Sequence, residues 1–152
     1  MNIAIVDDDK NQRDHLTYKV KLWARDRGQT CAVTEFSSAE AFTFEFAENN
    51  DIDILLLDIE MPGMNGVELA RKLRADGEEL QIIFITGYYD FISDGYDVSA
   101  LHYLMKPVAD SKLFEVLDRA LDRCERSVKR IKVSFDRETK LIPVSDIMYL
   151  EA

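Results

Sequence analysis

Five short apolar runs, separated by stretches of helical periodicity, constrain this chain more than any other feature. Four of them run straight into polar residues. Ile3-Ala4-Ile5-Val6 leads into Asp7-Asp8-Asp9, Ile54-Leu55-Leu56-Leu57 into Asp58, Ile82-Ile83-Phe84-Ile85 into Thr86-Gly87, and His102-Tyr103-Leu104-Met105 into Lys106-Pro107. Short runs rich in β-branched residues or leucine read as strands of a parallel sheet, where helices cover both faces and alternation is lost. The carboxyl ends of such strands share one edge, the edge at which α/β proteins bind ligands. Acids, a hydroxyl and a lysine spread over about 100 residues are therefore expected to meet in one pocket.

The stretches between these runs carry helix signals. From near Asn11 to Arg27, Leu16, Val20, Trp23 and Ala24 recur at helical spacing, with Asp9 as cap and Gly28 as the stop. A second strand covers Thr30 to Phe36. Ser37-Ser38-Ala39-Glu40 then reads as a capping box opening a helix to about Asn50. Asn65 is placed to cap a helix bearing Val67, Leu69, Ala70 and Leu73, which Gly77 closes. A short aromatic helix is predicted over about Asp90 to Tyr96. A final helix from Asp110 to about Arg126 presents Leu113, Val116, Leu117, Ala120, Leu121 and Cys124 on one face. The pattern predicts an α/β fold, a doubly wound five-stranded parallel sheet with right-handed crossovers and helices on both faces.

Beyond Val128 the pattern changes. Ile131-Lys132-Val133-Ser134-Phe135 alternates with period two, Asp136-Arg137-Glu138 offers a turn, and Lys140 to Val144 and Ile147 to Leu150 follow as further strands. About 25 residues bury no core alone. The expected organisation is therefore a domain over residues 1–126, followed by a linker and the truncated start of a second, all-β domain over residues 127–152.

Composition narrows the function classes. A net charge of −10 with pI near 4.7 argues against nucleic-acid binding by this piece. Strand-like residues from Ile3 leave no room for a leader, and no apolar run approaches a membrane span. Cys31 and Cys124 lack metal-ligand spacing and read as buried, reduced, structural thiols of a cytoplasmic chain. His15 and His102 have no ligand partners at suitable spacing and read as structural.

The acid pair after strand one, the stretch Asp58 to Gly66 with Met61-Pro62-Gly63-Met64-Asn65, Thr86 after strand four and Lys106-Pro107 after strand five resemble the receiver domains of bacterial two-component response regulators. The resemblance covers roughly residues 1–125. It implies a flavodoxin-like strand order 2-1-3-4-5 and a phosphoryl group accepted on Asp58 from a sensor histidine kinase. It further implies Mg²⁺ bound directly by Asp8 and Asp58, through water by Asp7, and by the backbone carbonyl of Glu60. A cis Lys106–Pro107 peptide and a switch pair, Thr86 and Tyr103, belong to the same set of implications. So do roles for Glu60 and Tyr88 in setting the lifetime of the phosphoform.

The residues themselves support that chemistry. Alone, Asp58 would read as an acid opening a turn; among these companions it is a carboxylate nucleophile able to form an acyl phosphate. Asp7 and Asp8 supply hard oxygen ligands suited to Mg²⁺. An acidic helix start would account for Asp9 but not for two further acids at the strand end. Lys106 offers a fixed charge, and Thr86 a hydroxyl, to phosphoryl oxygens. Tyr88, Tyr89, Phe91 and Tyr96 are either core filler or part of a partner-binding face.

The segment Ile142-Pro143-Val144-Ser145-Asp146-Ile147-Met148-Tyr149-Leu150-Glu151 resembles the beginning of the LytTR-type DNA-binding domain. That resemblance implies DNA contact only through a missing output domain, and a homodimer forming on phosphorylation. Three rivals are weaker. An aspartyl-phosphate phosphohydrolase of the haloacid-dehalogenase type needs Asp-x-Asp after the first strand, whereas the nearest match is Asp58-x-Glu60 after the third. A nucleotide or flavin domain needs a glycine-rich loop where three aspartates stand. A non-phosphorylated interaction module would be expected to lack Asp8, Asp58 or Lys106.

Overall fold

The computed structural model describes residues 1–87, 98–128, 130–135 and 138–143, with side chains as far as residue 126. Its elements are β1 (Asn2–Val6), α1 (Lys10–Asp26), β2 (Ala32–Phe36), α2 (Ala39–Glu48), β3 (Ile54–Leu57), α3 (Gly66–Ala75), β4 (Gln81–Thr86), β5 (His102–Met105), α4 (Asp110–Val128), β6 (Arg130–Phe135) and β7 (Glu138–Pro143). The first five strands form one sheet in the order β2-β1-β3-β4-β5, every neighbouring pair parallel. The expected fold class and strand order are both present. The predicted aromatic helix, with Tyr88, Tyr89, Phe91 and Tyr96, lies outside the described residues.

Period-two alternation sorts the central strands onto two cores. Ala4, Val6, Leu55, Leu57, Ile82 and Phe84 face α2 and α3, meeting Phe42, Phe46, Leu69 and Leu73. Ile3, Ile5, Ile54, Leu56, Ile83 and Ile85 face α1 and α4, meeting Leu16, Val20, Trp23, Leu113 and Leu117. Burying each such large side chain contributes about 1.5–3 kcal/mol. The edge strand β2, by contrast, is largely exposed.

Helix ends follow the sequence signals with one exception. Asp9 caps α1 by accepting from the Asn11 N–H at 2.8 Å. Asn65 and Glu68 form a complete capping box on α3. Gly28 (φ 63°) and Gly77 (φ 80°) end α1 and α3 in the left-handed region. The capping box expected from Ser37 and Glu40 is absent: Ser38 is the cap and accepts from the Ala41 N–H, while Glu40 turns away to another loop. One burial expectation also needs correction: Cys31 and Cys124 are free but only half-buried. Strands β6 and β7 pair antiparallel, from Arg130 opposite Pro143 to Phe135 opposite Glu138. Among the described residues no helix is long and apolar enough to cross a membrane.

Candidate functional site

Register places the chemistry. Val6 pairs with Leu57, Leu57 with Phe84, and Thr86 with Met105, so Asp7, Asp58, Thr86 and Lys106 come out at the same edge of the sheet. The ladder runs one bond past the strands. The Asp58 N–H donates to the Val6 carbonyl at 2.8 Å, the Lys106 N–H to the Thr86 carbonyl at 2.9 Å, and the Asp7 N–H to the Phe36 carbonyl at 3.2 Å. Each site residue is thus anchored by backbone to the neighbouring strand.

At this edge Asp7 and Asp58 are buried, at 1% and 7% exposure, while Asp8 opens to solvent. Lys106 Nζ bridges them, 2.8 Å from Asp7 Oδ2 and 2.8 Å from Asp58 Oδ2. Asp7 Oδ1 accepts from the Asp9 N–H at 2.9 Å. The Lys106–Pro107 peptide is cis. Three carboxylates against one ammonium leave net negative charge in a partly dry place. Burial accordingly pushes the Asp58 carboxyl above its ordinary value, and repulsion from Asp7 adds to this; the Lys106 hydrogen bond and charge offset only part. Burial pulls Lys106 down, but its bonds to Asp58 and Asp7 outweigh this and raise it. Both directions favour positive charge among these carboxylates.

A divalent cation fits the donor set. Oxygens of Asp7, Asp8 and Asp58 lie within 4.8 Å of one another, and hard carboxylate oxygens suit Mg²⁺. Glu60 follows on an exposed part of the same loop, beside Ile59, Met61, Pro62 and Asn65.

Thr86 is fully buried at the end of β4. Phe84 and Thr86 lie on the same sheet face, and Tyr103 packs on Phe84 with ring centroids 4.9 Å apart. Half-buried Tyr103 is therefore a neighbour of Thr86 on that face.

Four further residues support the pocket and were not singled out from the sequence for it. Arg13 on α1 donates through Nη1 to the carbonyls of Asp7 (2.7 Å) and Asp8 (3.1 Å). Lys19, a turn and a half further along α1, is buried and donates to the Val108 carbonyl. Glu40 on α2 accepts from the Met64 N–H at 2.8 Å, and this bond holds its carboxyl below the ordinary range. A Cβ on Gly66 would lie 2.1 Å from the Asp58 carbonyl oxygen, so only glycine lets α3 start against the loop that begins at Asp58. Gly66 alone had a sequence signal, standing at the end of the Met61-to-Gly66 stretch.

This fold, with its acidic pocket at the carboxyl edge of the sheet, is that of a receiver domain, and the comparisons agree. The family model of the response regulator receiver domain matches residues 3–118, and the chain belongs to that family. It is 34% identical to the positive alginate biosynthesis regulatory protein of Pseudomonas aeruginosa, over 79% of this chain and 47% of that protein. It is 29% identical to the transcriptional regulatory protein NatR of Bacillus subtilis, over 99% of this chain and 64% of that one. The sensory transduction protein LytT of Enterococcus faecalis is 27% identical over 100% of this chain and 62% of its own length. The chain thus spans about half to two thirds of the length of these curated relatives. Among solved structures, the response regulatory domain of mrkE from Klebsiella pneumoniae superposes with a TM-score of 0.73 at 22% identity, covering 82% of this chain and 98% of that one. The response regulator protein TrrA from Thermotoga maritima, solved in complex with Mg(2+)-BeF, gives 0.67 at 28% identity, covering 78% and 97%.

Proposed function

We propose that the protein is a phosphoacceptor switch in which Asp58 takes a phosphoryl group from the phosphohistidine of a sensor histidine kinase. The observation that carries this reading is the Lys106 ammonium at 2.8 Å from both Asp7 and Asp58, at the mouth formed by β1, β3 and β5. A carboxylate oxygen of Asp58 attacks phosphorus, the N–P bond breaks, and the histidine leaves as neutral imidazole once protonated. An acyl phosphate results, with no proton to remove from the nucleophile. Mg²⁺ held by Asp7, Asp8, Asp58 and the Glu60 carbonyl would neutralise charge on the transferring oxygens. Lys106 then exchanges a carboxylate partner for a phosphoryl oxygen, and Thr86 offers its hydroxyl to another. Movement of Thr86 toward the phosphoryl group would free space beside Tyr103, giving two packings whose balance phosphorylation shifts.

The chain is read as a switch rather than a turnover enzyme, acting in the cytoplasm. Residues 1–126 form the receiver, and residues 127–152 the linker and first strands of a LytTR-type output domain that would bind DNA. The β6–β7 hairpin and the NatR and LytT relatives support that division. Phosphorylation would act on output through a homodimer.

Intact mass after incubation with phosphoramidate, with and without Mg²⁺, tests the reading. A Mg²⁺-dependent gain of one phosphoryl group, absent from Asp58→Asn, is the expected result. No gain under either condition would leave only an interaction module with this fold.

A further inference from the structure

The geometry points to Arg13 as the positioning residue of the metal pocket: it sets the orientation of the Asp7 carboxylate through the Asp8–Asp9 peptide. This rests on the Mg²⁺ reading of the pocket above and assigns a residue outside it.

One peptide plane links the two groups. The carbonyl of Asp8 accepts from Arg13 Nη1 at 3.1 Å. The N–H on the opposite edge of that same peptide, belonging to Asp9, donates to Asp7 Oδ1 at 2.9 Å. Because a trans peptide is planar, its carbonyl and N–H point in opposite directions and turn together. Gripping one edge therefore fixes the direction of the bond on the other. The same Nη1 also holds the Asp7 carbonyl at 2.7 Å, so the main chain is fixed on both sides of Asp8.

The guanidinium is itself braced. Arg13 Nε lies 3.7 Å from Glu35 Oε2 on β2, with the arginine side chain only 13% exposed. The other Glu35 oxygen accepts from Thr17 Oγ1 at 2.6 Å, one turn further along α1. An arginine fork serves here because one planar group reaches two carbonyls and a carboxylate, which an ammonium on a flexible stem does not match. Partners behind metal ligands of this kind commonly change affinity by about 10–100-fold when removed.

Charge and position make opposite predictions, which gives the proposal its test. A cation near the pocket repels a second cation, so removing the charge alone should tighten Mg²⁺ binding. Removing the brace should weaken it.

The experiment is a MgCl₂ titration of the unphosphorylated protein and two variants, followed by backbone amide chemical shifts of ¹⁵N-labelled samples. Thermal melts of the same samples verify folding. Arg13→Ala is expected to raise the Mg²⁺ dissociation constant about tenfold. Arg13→Lys, which retains the charge and most of the length, should show nearly the same weakening. Phosphorylation by phosphoramidate should recover in both at saturating Mg²⁺. An Arg13→Ala protein that binds Mg²⁺ as tightly as the parent or more so, or a lysine variant with parental affinity, overturns the proposal. A parent protein without Mg²⁺-dependent shifts would remove the metal reading and this inference with it. A parent that binds Mg²⁺ yet accepts no phosphoryl group would remove the phosphoacceptor reading and leave the role of Arg13 standing.

Discussion

The Lys19 ammonium lies 2.7 Å from the carbonyl of Val108, a residue 89 positions later and two beyond Lys106. It also lies 2.7 Å from Asp110 Oδ1 at the start of α4, with 9% of its side chain exposed. A lysine so nearly dry needs acceptors for its protons, and it finds them in a half-buried carbonyl and an exposed carboxylate. Its effect is to tie α1 to the loop presenting the pocket lysine.

Replacing Lys19 with methionine keeps most of the volume and removes the tie. The Val108 carbonyl then loses a charged donor, at a cost of about 1–3 kcal/mol in urea unfolding. Phosphorylation by phosphoramidate should slow as well, because Lys106 is no longer fixed from behind. Lys19→Arg, which restores a donor, should recover part of the rate. Unchanged stability and rate in the methionine variant would dissociate this contact from the pocket.

The pH dependence of Asp58 follows from the direction of its shift. Its carboxyl is raised in the folded state by burial. Its favourable contribution is therefore fully present below the ordinary aspartate value, about 3.9, and is lost as pH rises through the folded value. Ionised Asp58 thus weakens the fold at neutral pH in the absence of metal. Asp58→Asn should melt higher than the parent at pH 7, and the gap should close toward pH 4 and narrow on adding Mg²⁺. A variant melting lower at pH 7 would contradict the assigned cause. In the parent, phosphorylation should also fall once pH drops below the raised value, since the nucleophile must be ionised.

A clasp on the opposite side of the molecule titrates with the other sign. Trp23, fully buried, donates through Nε1 to Asp118 Oδ1 at 2.8 Å, and Arg27 pairs with the same carboxylate. The Arg27 guanidinium also lies over the rings of Trp23 (5.8 Å) and Phe114 (5.4 Å). The Arg27 hydrogen bond holds Asp118 below its ordinary value. Its contribution is present above the ordinary value and lost as pH falls through the depressed one. Asp118→Ala orphans the indole N–H, costing about 1–3 kcal/mol, and should shift the emission of the sole tryptophan. An unaltered spectrum and midpoint would count against the clasp.

The sheet and its pocket were legible because both depend on local signals. Strand runs, the Asn65 cap and the polar residues after the strands are contiguous in sequence. The supports behind the pocket were not. Arg13 and Lys19 carried no signal in the sequence, since their partners lie off the helix that bears them. Glu40 misled for the same reason. Spacing offered it to Ser37, but Met64, 24 residues on, takes it. A local pattern lost to a tertiary partner.

Gly66 gives α3 no spacer: its Cα stands where any added carbon would meet the Asp58 carbonyl oxygen. The Gly66 N–H also donates to the Ile59 carbonyl at 2.9 Å. The loop that carries Asp58 and the first turn of α3 therefore meet with no gap between them. A displacement of the Asp58 main chain toward α3 would press on that first turn, there being no slack to take it up.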